Sequence, residues 1–242
     1  MIERAGVRVM IAIELSIGVK ALGAASSSGY REPRQERSRK RFNAILDAAA
    51  ALLEDKEPDD ISVYTLAESS GVPPASIYHF FPDASLVFVA LAERYYREFV
   101  RDMDSDPPAG IASWQELHAF RFSEARDRFN ERKAARRLLL GSGLSATIRA
   151  RDLEVDRQLA ELSALELTKL FAIPEIPNLV DRLTEMLVVN DAIWTLSVHR
   201  HGYITTELDE QARRAREAYT RTFLPEYAPL RDQAQSEEAS DT

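Results

Sequence analysis

An all-α fold is what the sequence predicts, and three observations carry the prediction. Glycine and proline number nine and eleven in 242 residues, below the roughly 12% combined share of average chains, which leaves few turn residues for a β-sandwich or barrel. From Gln35 onward apolar side chains recur with the helical period of about 3.6 residues. The breaks between these periodic runs fall at Gly, Pro, Asp and Ser, the residues that start and stop helices. Apolar residues make up 45% of the chain, enough for a real core and too many for wholesale disorder. The length suits one large domain or a small one joined to a larger one.

The elements follow in order. Residues 7 to 19 alternate apolar side chains at every second position, as a strand would, but no partner strand of similar quality follows. Glu14 and Lys20 interrupt what would be the uncharged core of an export signal, so residues 1–33 are read as a flexible extension, with Ser26, Ser27 and Ser28 in a linker. Phe42, Ile45, Leu46, Ala49 and Leu53 share one face of a first helix from Gln35, with Arg37, Arg39, Lys40 and Arg41 at its front. Ser62 is the expected N-cap of a short second helix through Ser70, which Gly71 ends because glycine takes the left-handed conformation freely. Pro74 opens a third short helix to Phe80, Pro82 and Asp83 break and cap, and Leu86 to Met103 reads as a long amphipathic fourth helix. Beyond a boundary loop at Pro107 and Pro108, helices are expected near 113–130, 132–140, 145–171, 178–199 and 206–223, followed by an acidic disordered tail.

A short helix, a glycine turn and a second short helix is the outline of a DNA-reading helix-turn-helix, whose second helix enters the major groove. Ala67 is small enough for the two helices to cross closely, and Leu66, Val72 and Ile77 supply a miniature core. The outer face then presents Ala75, Ser76, Tyr78 and His79 to base edges and phosphates. Arg37 through Leu91 resembles the TetR/AcrR family of bacterial regulators. The resemblance rests on Ile45, Leu46, Ala48 and Ala49, on the run Ser62 to Ala67, on Gly71 and Val72, and on Ser76, Ile77 and Tyr78 followed by Phe81. It implies DNA contact by the position of Tyr78 and its neighbours, and a helical C-terminal domain that binds a small ligand and dimerises through its last two long helices. Ser62, Tyr64, Thr65 and Pro74 complete the expected DNA-facing set with the basic residues of the first helix. Three positions depart from the family's pattern: Pro73, Phe80 and Ala84 stand where a capping serine, a polar residue and a phosphate-reaching lysine are usual. Six basic residues and two acids between Tyr30 and Arg41 give that arm +4 within a chain of net charge −8, so it must supply much of the phosphate attraction.

In the C-terminal half, most apolar side chains belong to a helix-bundle core. A ligand cavity between helices would draw on Trp114, Leu117, His118, Arg121, Leu139, Leu144, Ile148, Leu165, Met186 and Asn190, with His118 and Arg121 as polar anchors and a hydrophobic organic molecule as ligand. Helix 178–199 is apolar around most of its circumference and the last helix is rich in small residues. Leu183, Leu187, Trp194, Ala212, Ala215, Tyr219 and Thr222 are therefore expected at the interface of a two-fold homodimer. The domain reading is 1–33 extension, 34–82 DNA-binding, 83–228 effector and dimer domain, and 229–242 tail.

Other functions lack their ingredients. With no cysteine there is no disulfide framework, thiol nucleophile or thiolate metal site, and a reducing cytoplasm is the default compartment. No apolar run of about 18 residues lacks a charge, so no transmembrane helix is expected. There is no phosphate-cradling glycine loop, nucleophile elbow or metal-ligand spacing, so no enzyme, metal or cofactor is expected. His199 and His201 are two apart on a helix and face away from each other. The competing reading is a helical ligand-binding or adaptor protein with weak or lost DNA binding.

Overall fold

The computed structural model describes residues 29–102, 106–141 and 146–232. The alternating segment 7–19, Leu144 and the acidic end 233–242 lie outside the described residues. Among those described there are nine α-helices and no strand: α1 (Glu36–Leu52), α2 (Val63–Ser70), α3 (Pro74–Phe80), α4 (Ser85–Asp102), α5 (Trp114–Glu131), α6 (Lys133–Leu140), α7 (Ala146–Leu170), α8 (Leu179–His201) and α9 (Thr206–Thr220). A 3-10 turn, Pro58–Asp60, links α1 and α2. No single helix among the described residues is long and apolar enough to cross a membrane. The chain divides into two compact units between Arg101 and Asp102, so α4, read above with the effector domain, groups with the N-terminal unit.

In the N-terminal unit the periodic face of α1 is buried through Phe42, Ile45, Leu46 and Ala49, and α1 packs on both α2 and α3. The Ser62 Oγ accepts a hydrogen bond from the Thr65 N–H at 3.1 Å, capping α2 as its position implied. Gly71 ends α2 at φ 67°, ψ 13°. A Cβ there would meet nothing within 4 Å, so glycine serves the left-handed turn and not a close approach. Asp83 Oδ1 accepts from the Ser85 N–H at 2.6 Å and caps α4; that bond holds its carboxyl below the usual carboxylate range.

The second unit is centred on α8, which packs against α6, α7 and α9. Its core joins Trp114, Leu117 and Phe122 of α5, Leu167 of α7, Leu183, Met186 and Trp194 of α8, and Ala212 of α9. Gly141 follows α6 for a different reason from Gly71: its backbone is extended, and a Cβ there would overlap the Arg137 carbonyl. Two segments expected to be loose are tied down. Leu230, placed in the tail, forms an antiparallel bridge with Phe171, and Arg231 Nε donates to the Thr168 carbonyl. Tyr30, placed in the flexible extension, packs its ring 5.9 Å from Phe42 and 5.7 Å from Phe81. Its hydroxyl donates to Glu93 Oε2 at 2.6 Å, and burial together with that carboxylate raises its pKa.

Candidate functional site

The short helix α3 divides cleanly into an inner and an outer face. Ile77 and Phe80 are buried, with Phe80 edge-on to Phe42 at 5.8 Å. The Phe80 side chain is thereby accounted for by packing, which explains why no polar group stands there. Ala75, Tyr78 and His79, at i, i+3 and i+4, lie on the opposite face and are exposed, Tyr78 at 47%. Pro74 and Ser76 are half-buried at the start of the helix. An exposed phenol and imidazole on a helix held by two buried side chains can reach a groove without disturbing the fold.

The remaining expected contacts sit on α1 and α2. Tyr64, in the first turn of α2, is 71% exposed. Ser62 and Thr65 are 2.9 Å apart through their hydroxyls, so both are engaged with the helix start and with each other. Arg37, Arg39, Lys40 and Arg41 are exposed. Arg39 lies 3.6 Å from Glu36; such an exposed pair is worth little, and it does not withdraw the arginine from a phosphate. Tyr30 was missed by sequence reasoning. Through Phe42 and Glu93 it fastens the start of the basic arm to α1 and α4, and its only sequence signal was an aromatic residue just ahead of a run of cations.

The effector residues are distributed differently from expectation. Trp114, Leu117, His118, Leu139, Ile148, Met186 and Asn190 are buried, whereas Leu165 is 43% exposed on α7. Arg121 is not an open anchor: its guanidinium grips Glu166 at 2.5 and 3.2 Å and lies 3.4 Å from Glu124. His118 sits between Trp114 and Phe122, with ring centroids at 5.5 and 6.3 Å, and neither ring nitrogen has a hydrogen-bond partner. Burial, with the nearby Arg216 charge, pushes its pKa down to about 4. Arg216, a residue the sequence reading passed over, stacks its guanidinium 4.1 Å above Phe122. It donates to Asn190 Oδ1 at 2.9 Å, and burial lowers its pKa to about 10.

Three of the expected interface residues are corrected by their burial. Leu183 and Trp194 of α8 and Ala212 of α9 are 0–1% exposed within a single subunit, because all three pack into one core with side chains of α5 and α7, and Trp194 Nε1 donates to Asp209 at 3.1 Å. They are core residues. Leu187, Ala215 and Tyr219 are half-buried and Thr222 is exposed, so any surface interface of these helices falls to them and to Leu196, 38% exposed.

Comparison with known proteins agrees with this geometry. Residues 45–88, from α1 into α4, match the family described as bacterial regulatory proteins, tetR family. No curated protein matches the chain in sequence. Its fold is similar to a TetR-family transcriptional regulator from Streptomyces coelicolor, at 22% identity and a TM-score of 0.55 over 75% of this chain and 96% of that one. A TetR transcriptional regulator from Rhodococcus sp. RHA1 is similar at 18% identity and a TM-score of 0.56, over 77% and 97%. The tetR-family match thus lies on the capped, glycine-turned helix pair and its flanking helices, and the likeness to the two solved regulators is one of fold.

Proposed function

We propose that the protein is a ligand-released repressor that binds a near-palindromic operator as a homodimer. The observation that carries the reading is α3: two side chains buried inward, and Ala75, Tyr78 and His79 turned to solvent beside a basic α1. Two such heads on a two-fold axis would meet successive major grooves about 34 Å apart. Support for a homodimer comes from the small or exposed residues of α8, α9 and the turn that follows, namely Leu196, Ala215, Ala218 and Thr222. Support for an effector comes from the polar groups His118, Asn190 and Arg216 held inside an otherwise apolar core, which fits an apolar molecule carrying a few polar atoms. A cytoplasmic, non-enzymatic protein is part of this reading. The effector acts by binding the DNA-incompetent state more tightly than the competent one, so operator and effector weaken each other by the same factor.

The test is selection of bound fragments from random duplex DNA, followed by gel shifts on the enriched site with and without Tyr78→Ala. A symmetric site whose affinity collapses in the variant supports the reading. An unenriched pool, with the melting temperature of the protein unchanged, favours the adaptor alternative.

A further inference from the structure

Three aspartates meet across the α7–α8 packing. Asp152 and Asp156 are one turn apart on α7, and Asp191 faces them from α8; one carboxylate oxygen of each lies within 4.8 Å of the others. Asp152 and Asp156 are 7% and 4% exposed. The three carboxylates are unequally partnered. Arg149 Nη1 donates to Asp152 Oδ2 at 2.7 Å, and Asn190 Nδ2 donates to Asp191 Oδ1 at 3.2 Å. Asp156 Oδ2, the most deeply enclosed, is buried with no hydrogen-bond partner. A buried carboxylate oxygen with no donor is costly unless something else neutralises it.

The geometry points to a site for a hard divalent cation of calcium size, held by Asp152, Asp156 and Asp191. Oxygens spread no more than 4.8 Å apart leave a point within about 2.8 Å of all three, close to the Ca²⁺–oxygen range and wider than Mg²⁺ requires. The donor set is oxygen alone, which suits Ca²⁺ or Mn²⁺ and not zinc. An outer layer is present as well. Asn190, while donating to Asp191, accepts from Arg216 of α9, so its amide is fixed and in turn orients that carboxylate. A cation here would clip α7 to α8, with water filling its remaining positions. This site is independent of the DNA-binding reading.

The test uses the full chain, stripped with a chelator and melted at constant ionic strength with millimolar CaCl₂, MnCl₂, MgCl₂ or ZnCl₂. The melting temperature should rise by about 5 °C with calcium or manganese and less with magnesium. Asp156→Asn and Asp191→Asn should lose the rise. A wild-type measurement that needs no variant is terbium emission excited through tryptophan, since Trp194 lies one turn from Asp191 on α8. It should saturate at one ion per chain and be displaced by calcium. No saturable emission, a response to zinc alone, or an equal calcium response in Asp156→Asn would overturn the proposal.

Discussion

The two units were built by the same helical rules but differ in how their functional residues are held. In the head, each side chain aimed outward is set by neighbours a few residues away: Ser62 caps α2, Gly71 turns the chain, and Ile77 and Phe80 anchor α3. In the C-terminal unit the decisive contacts are distant in sequence. Arg121 is claimed by Glu166, Arg216 by Asn190 and Trp194 by Asp209. The difference teaches that local patterning suffices to expose a recognition helix, whereas a buried polar site is assembled by partners that no local pattern names.

The largest effect that would break this comparison is in the head itself. Ile77→Ala empties a fully buried position and should destabilise the N-terminal unit by about 2–5 kcal/mol, while the adjacent Tyr78→Ala should leave stability nearly unchanged and remove operator binding. Equal melting curves for the two variants would show that α3 is not divided as described. Next in size is the arm. Replacing Arg37, Arg39, Lys40 and Arg41 with Gln should lower the slope of log affinity against log salt by up to about 3–4 for each bound head, and an unchanged slope would place the phosphate contacts elsewhere.

In the C-terminal unit the sharper test is pH. His118 has a folded-state pKa near 4, below its ordinary value of about 6.5, so the unfolded chain binds the proton first as pH falls. Its contribution is absent above about pH 6.5 and grows as a destabilisation down to about pH 4. A His118→Phe variant should escape roughly 2 kcal/mol of that loss at pH 5 and none of it at pH 8. Denaturant titrations at the two pH values measure this. Smallest are the local devices: Gly71→Ala and Ser62→Ala should each cost about 1 kcal/mol, read as a small drop in the melting temperature of the head.

Legibility followed the same division. The boundaries of α1 to α3, the Ser62 cap and the outward Tyr78 could be read because each depends on periodicity or on a residue with one backbone preference. Phe80 departs from the family's usual residue at that position, and the structure explains it as a buried ring against Phe42. Leu183 and Trp194 were placed at a subunit interface because α8 is apolar around most of its circumference, and Ala212 because α9 is rich in small residues, yet all three are covered by helices of their own unit. Tyr30 and Leu230 were placed in loose segments because nothing in their immediate neighbours marks the ring and bridge contacts they make.

By itself, then, the chain's sequence determined that it is helical, where its first helices start and stop, and which short helix turns a phenol and an imidazole outward. Spacing and capping act over one or two turns, so these features need no knowledge of the rest. Tertiary structure alone decided which apolar faces are covered from within, which arginine is held by a carboxylate, and that three aspartates from two helices meet at one point. Those outcomes depend on which helices become neighbours, and that is fixed by the summed packing of the whole core.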